Sequence, residues 1–116
     1  MMLGIFLDTE TTGLNPNRCE LLEIALKILD VTNGEMKIGY EAVIHMTEEQ
    51  FEKSDPTSLQ VNGFTLEMVE KGEEKEKVAQ EIMSLFKQQG VKRGEAVFIC
   101  QNPSFDRAFF SKLIDP

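Results

Sequence analysis

The run Leu3-Gly4-Ile5-Phe6-Leu7-Asp8-Thr9-Glu10-Thr11-Thr12-Gly13-Leu14 passes from apolar to acidic to turn-forming within a few residues. Leu3 to Leu7 is short, apolar and rich in β-compatible side chains, and Thr12, Gly13, Asn15 and Pro16 beyond it are turn formers, so the spacing predicts a buried central strand. Asp8 and Glu10 then fall at the end of that strand. Because strand side chains alternate, both carboxylates are aimed at one face, where they repel each other unless a cation lies between them. Acidic residues also end strands simply because strand ends meet solvent, so the pair alone leaves both readings open.

Downstream, Leu22, Ile24, Leu26 and Ile28 alternate with Glu23, Ala25 and Lys27, which predicts a strand over Leu21 to Val31 with one buried face. Asn33-Gly34 supplies the residues of a two-residue type I′ turn, and Met36, Ile38, Tyr40, Ala42 and Ile44 then continue the alternation, so the two runs form an antiparallel hairpin. Between Thr47 and Gly72 the pattern breaks at Ser54, Asp55, Pro56, Asn62 and Gly63, as short helical turns and loops require. Val78, Ile82, Leu85 and Phe86 recur at helical spacing within Glu73 to Gln89, with Glu73 four positions before Lys77 and Gly90 as the terminator. Ala96 to Cys100 is an unbroken apolar strand, and Ser104 is a candidate cap for a final helix carrying Phe105, Ala108, Phe109 and Leu113. A hairpin followed by a helical crossover into another strand implies an α/β fold with a mixed sheet and flanking helices.

Composition narrows the function classes. With 116 residues the chain is expected to be a single domain, residues 1–116, and 41% hydrophobic with 28% charged side chains is the balance of an ordinary folded protein. The apolar N-terminus carries no basic residue and reaches Asp8 too soon for a signal peptide, and no membrane-length apolar stretch follows, so a soluble, cytoplasmic protein is expected. Cys19 and Cys100 are accordingly read as reduced thiols. The net charge of −8 offers no basic patch for tracking along a phosphate backbone, but it is compatible with gripping a strand end through bound metal ions.

Asn102-Pro103-Ser104-Phe105-Asp106 is the second acidic constellation, directly after the Ala96 to Cys100 strand. In a helix's first turn Asp106 is favoured by the macrodipole, which is reason enough for an acid there. If the Ala96 to Cys100 strand lies parallel to and beside the first strand, however, their C-terminal ends open onto one crevice, and Asp106 faces Asp8 and Glu10 across it.

Taken together, Phe6 to Leu14 resembles the first exonuclease motif of the DEDD (DnaQ-like) 3′–5′ exonuclease family, and Asn102 to Asp106 resembles its second, an Asn with an Asp four positions on. Val61-Asn62-Gly63-Phe64-Thr65 resembles the family's His-Gly-Ile-Thr stretch, with Asn62 in place of His. The resemblance implies a ribonuclease H-like fold and hydrolysis of phosphodiester bonds at 3′ ends by two Mg²⁺ or Mn²⁺ ions about 4 Å apart. By similarity Asp8, Glu10 and Asp106 are the metal ligands and catalytic carboxylates. Thr11 and Leu14 meet the terminal nucleotide, and Asn102 and Phe105 line its sugar side; Leu14 and Phe105 are equally readable as core residues. The implied partner is a single-stranded 3′ end or a short oligonucleotide, with a polymerase or a second copy of the chain as further candidates.

The family's third motif, a His or Tyr shortly before an Asp, has no counterpart before Pro116, so an exonuclease domain truncated at its C-terminus and of reduced activity is expected. His45 and Tyr40 lack a following Asp at the family spacing, and His45 is expected to be a half-exposed strand residue. Two other readings compete. A haloacid-dehalogenase-type phosphohydrolase would use Asp8 as nucleophile, but it expects a second Asp where Glu10 stands. An exonuclease-fold binding module would keep the scaffold without cutting.

Overall fold

A computed structural model describes residues 2–15, 19–91, 96–100 and 103–113, the last stretch with side chains for 106–111 and Leu113. The first strand, β1, runs over Leu3–Thr11, so Asp8 and Glu10 lie within the strand rather than beyond its end. Strands β2 (Leu21–Asp30) and β3 (Glu35–Val43) form the expected hairpin. Three short helices follow, α1 (Glu48–Glu52), α2 (Pro56–Asn62) and α3 (Leu66–Glu70), then the long helix α4 (Lys75–Gln88), strand β4 (Ala96–Cys100) and helix α5 (Pro103–Leu113). The sheet order is β3-β2-β1-β4, with β1 antiparallel to β2 and parallel to β4. This is the mixed α/β arrangement expected from the order of elements.

Alternation divides β1 between two faces. Leu3, Ile5, Leu7 and Thr9 are buried, and in the main core the first three meet Ile24, Leu26 and Ile28 of β2 together with Val78 and Ile82 of α4 and Phe109 and Phe110 of α5. This is the covered face. Phe6, Asp8 and Glu10 occupy the other, open face, where Phe6 remains 42% exposed. A smaller core of Leu22, Met46, Phe64 and Val69 seats the short helices. It exists because the β1–β2 register slips between Glu10 and Thr11, so that Leu21 and Leu22 are both buried, each in a different core.

Three local expectations are corrected. Asn33 does not take a positive φ; only Gly34 does, at 75°, and its N–H bonds the Asp30 carbonyl at 2.8 Å. The hairpin therefore closes through a longer loop between the paired residues Asp30 and Glu35, not a two-residue type I′ turn. Side chains stabilise that loop: Asp30 accepts from the backbone and hydroxyl of Thr32, which holds its carboxyl below the usual carboxylate range, and Asn33 accepts from the Glu35 N–H. A bulge between Ile28 and Leu29 sets Met36 opposite Leu29 and leaves it 59% exposed, outside the buried stripe that alternation assigned to it. The last helix begins at Pro103, so Ser104 lies inside its first turn; a proline there gives up no intrahelical bond.

Helix α4 starts at Lys75 and buries Val78 and Ile82 completely, with Leu85 and Phe86 half-buried, and Gly90 leaves it at φ 71°. Glu73 precedes the helix yet still reaches Lys77 at 2.9 Å. Among the described residues no helix is long and apolar enough to cross a membrane, and neither cysteine is in a disulfide.

Candidate functional site

The open face of β1 carries the acidic side chains. Asp8 lies opposite Ala25 and Glu10 opposite Glu23, and Glu41 of β3 pairs with Ala25, so one patch of sheet bears acids from three strands. Like charges set directly opposite each other destabilise a sheet. The cost appears in the ionisation equilibria. Glu10 is pushed above the usual glutamate range by burial, then by the charge of Asp8, then by that of Asp106. Glu23 is pushed up as well, by burial, Glu41, Glu10 and Asp8 in that order. A cation at this place would remove the repulsion, and oxygen donors of this kind suit a hard divalent ion.

Asp106 reaches β1 from the other side. It is 5% exposed, and its Oδ1 accepts a hydrogen bond of 2.6 Å from the hydroxyl of Thr9, a residue of the covered face. The expected crevice, with all three carboxylates facing one another, is therefore only partly formed: Asp8 and Glu10 share a face, and Asp106 stands level with them but bonded across the strand. Its charge is nonetheless close enough to act on Glu10. Among the described residues no three His, Cys, Asp or Glu side chains are grouped as ligands for one ion. Strand β4 supplies the adjacency that brings α5 here, since Leu7 of β1 pairs with Cys100, the last residue of β4. Burial, together with the Asp106 charge, raises the Cys100 thiol above its ordinary value.

At Thr11, the last residue of β1, the chain leaves the sheet in a turn held from several directions. Thr11 is buried, and its hydroxyl donates to the Gly13 carbonyl at 2.6 Å, so that hydroxyl is already engaged within the turn. The Thr12 N–H donates to the Glu20 carbonyl, and the Glu20 N–H to the Thr12 hydroxyl, both at 2.9 Å. A Cβ at Gly13 would stand 2.5 Å from Cys19 Sγ, so a side chain there would require the thiol to move. Leu14 at the tip is 77% exposed, which removes core packing as the reason for an apolar residue there. Asn102 lies outside the described residues, and of Phe105 only the helical backbone is described.

A groove of about 800 Å³ extends over the open face from Asp8, lined by Phe6, Ala25, Lys27, Gly39 and Ile99 among others. His45 is half-buried, with Nδ1 at 3.0 Å from the Glu70 carbonyl, and lines a separate recess with Glu74 and Lys75. Tyr40 donates its hydroxyl proton to Glu81 at 3.2 Å, and burial followed by the charge of Glu81 pushes its pKa up to about 12. His45 does not line the groove at Asp8, and Tyr40, at the groove's edge, directs its hydroxyl to Glu81 of α4 instead. Sequence reasoning missed three neighbours of the site: Thr9, Glu23 and Glu41. Thr9 carried a signal, because alternation sends the residue between two acids to the opposite face. Glu23 and Glu41 are visible only once the strand register is known.

Residues 5–113 match the model of a protein family described as exonuclease. Among curated proteins the chain is 31% identical to ribonuclease T of Shewanella frigidimarina (strain NCIMB 400), over 96% of this chain and 52% of that protein. It is 32% identical to ribonuclease T of Shewanella baltica (strain OS155 / ATCC BAA-1091), with the same shares covered. The chain thus spans about half the length of the curated relatives it matches. Among solved structures, exonuclease I with bound product superposes with a TM-score of 0.78 at 19% identity, over 97% of this chain and 25% of that one. Escherichia coli exonuclease I in complex with a dT13 oligonucleotide gives the same TM-score and identity, covering 23% of that chain. At this identity the superposition establishes the fold, a mixed sheet with flanking helices like that of exonuclease I.

Proposed function

We propose, from the premise that this chain belongs to the RNase T exonuclease family of DEDD nucleases, that it is the catalytic-fold portion of a metal-dependent 3′–5′ exonuclease acting on single-stranded ends. The observation that carries this reading is the placement of Asp8 and Glu10 together on the open face of β1, where burial, then the charges of Asp8 and Asp106, make Glu10 hold its proton more tightly than an ordinary glutamate. Two Mg²⁺ or Mn²⁺ ions, when bound, would supply an activated water and stabilise the departing 3′ oxygen.

The chain's own residues have separate tasks. Asp8 and Glu10 would hold the ions at the sheet surface, their positions fixed by strand pairing on β2. Asp106, tethered by the Thr9 hydroxyl, contributes negative charge from behind the strand and would help to hold a second ion. The Thr11 to Leu14 turn receives the terminal nucleotide, with the exposed Leu14 side chain against its base. The oligonucleotides bound by exonuclease I support a single-stranded substrate here. We further propose that residues 1–116 all belong to a single exonuclease domain.

The test uses two versions of one single-stranded oligonucleotide, labelled at the 5′ or the 3′ end, incubated with the chain and Mn²⁺. The 5′-labelled version should shorten as a ladder, while the 3′-labelled one releases labelled mononucleotide at once. Asp8→Ala should abolish both. Strands that stay intact at high protein and metal concentration would leave a strand-binding module as the function.

A further inference from the structure

We infer that Asn62 is a positioning residue for the substrate-binding turn, and that helix α2 acts as a brace holding that turn at both of its own ends. The inference rests on the nuclease reading for its substrate and on geometry for everything else.

The carbonyls of Thr11 and Thr12 are where β1 leaves the sheet, and neither is left without a donor. The Asn62 Nδ2 donates to the Thr11 carbonyl at 3.1 Å, and the Asp55 N–H donates to the Thr12 carbonyl at 2.7 Å. Asp55 is the N-cap of α2 and Asn62 is its final residue, so the two anchors are the opposite ends of one helix. Each end is itself fixed. The Asp55 carboxylate caps the helix through the Thr57 N–H at 2.9 Å. The Asn62 Oδ1 accepts from the Phe64 N–H at 3.1 Å, and Gly63, at φ 72°, lets the chain turn so that Phe64 enters the smaller core. Asn62 thus faces a carbonyl with its amine and an N–H with its oxygen, and only one orientation of the amide satisfies both.

The consequence concerns recognition more than chemistry. Asp8 and Glu10 are held within the regular part of the β1–β2 ladder, before its register shift at Thr11, whereas the carbonyls of Thr11 and Thr12 are held by the brace. Loosening Asn62 should therefore disturb the seat of the terminal nucleotide and leave the carboxylates in place.

Asn62→Asp is the discriminating variant, because it keeps the acceptor for Phe64 and replaces the donor to Thr11 with an oxygen that repels the carbonyl. With the single-stranded oligonucleotide and Mn²⁺, its KM should rise about tenfold while kcat stays within about threefold of the wild type, the signature of lost binding rather than lost chemistry. Asn62→His, which can restore an N–H donor, should recover most of the loss. In parallel, hydrogen exchange at Thr12 and Gly13 should accelerate about tenfold in Asn62→Asp with Tm nearly unchanged. Unchanged KM and unchanged exchange would overturn the inference, as would a fall in kcat and Tm at constant KM, which marks a purely structural role. If the wild-type chain leaves the oligonucleotide intact, the nuclease reading has failed, and the exchange measurement still decides whether Asn62 holds the turn.

Discussion

Thr9 and Glu10 are neighbours in sequence and opposites in environment, and each gives a measurable prediction. Thr9→Val keeps shape and burial but removes the donor from the Asp106 carboxylate, which is 5% exposed. A buried charged acceptor deprived of a partner costs about 1–3 kcal/mol, so urea unfolding should show a loss of that size, and Thr9→Ser should recover most of it. For Glu10 the sign follows from its raised pKa. The native state then holds the proton more tightly than the unfolded chain, so stability is greatest below the ordinary glutamate value and falls as pH rises through the raised one. Without divalent ions, Glu10→Gln should therefore match the wild type in acid and exceed its stability at neutral pH, as read from Tm across the pH range. That Asp8 and Glu10 share a face was legible in the sequence, since it needs only the two-residue period of a strand. That Asp106 bonds Thr9 was not, because it depends on how α5 settles against β1.

Among the elements, the hairpin and the long helix were read with the right faces, because each repeats its apolar period several times. The errors lie where one residue breaks a period. The bulge at Ile28 and Leu29 removes Met36 from the core stripe, and the loop after Asp30 is shaped by side-chain bonds that no dipeptide rule anticipates. The short helices were legible only as punctuation, yet just beyond the last of them lies a site with little tolerance. Gly72 packs so closely on the β3 exit that a Cβ would lie 2.7 Å from the His45 nitrogen and 2.8 Å from the Val43 carbonyl oxygen. The clash is with backbone, which cannot rotate away. Gly72→Ala should destabilise the protein by about 1–3 kcal/mol, measured by chemical denaturation, with loss of the hydrogen bonds that join Glu73 to Val43 and His45.

For the molecule as a whole, the parallel placement of β4 beside β1 stood in the sequence reading only as a condition for Asp106 to join the other acids, and it is what brings the two acidic motifs to one end of the sheet. The concentration of acids on the open face was not anticipated, since it requires three strands in register. Charge at this scale is also testable. With a net charge of −8 the folded chain repels itself, so Mn²⁺ should raise Tm in the wild type well beyond its effect on Asp8→Ala. Binding linkage sets the size, about 2.7 kcal/mol when free ion stands about a hundredfold above Kd. Equal shifts in both proteins would assign the effect to general screening. Strand β1 finally imposes a double penalty on any insertion or deletion within it. Sliding its frame by one position would carry Asp8 and Glu10 into the hydrocarbon interior and turn Leu7 and Thr9 outward, so folding and catalysis would fail together. Length variation in relatives of this chain should accordingly collect at the Val31 to Gly34 loop, where an added residue disturbs neither.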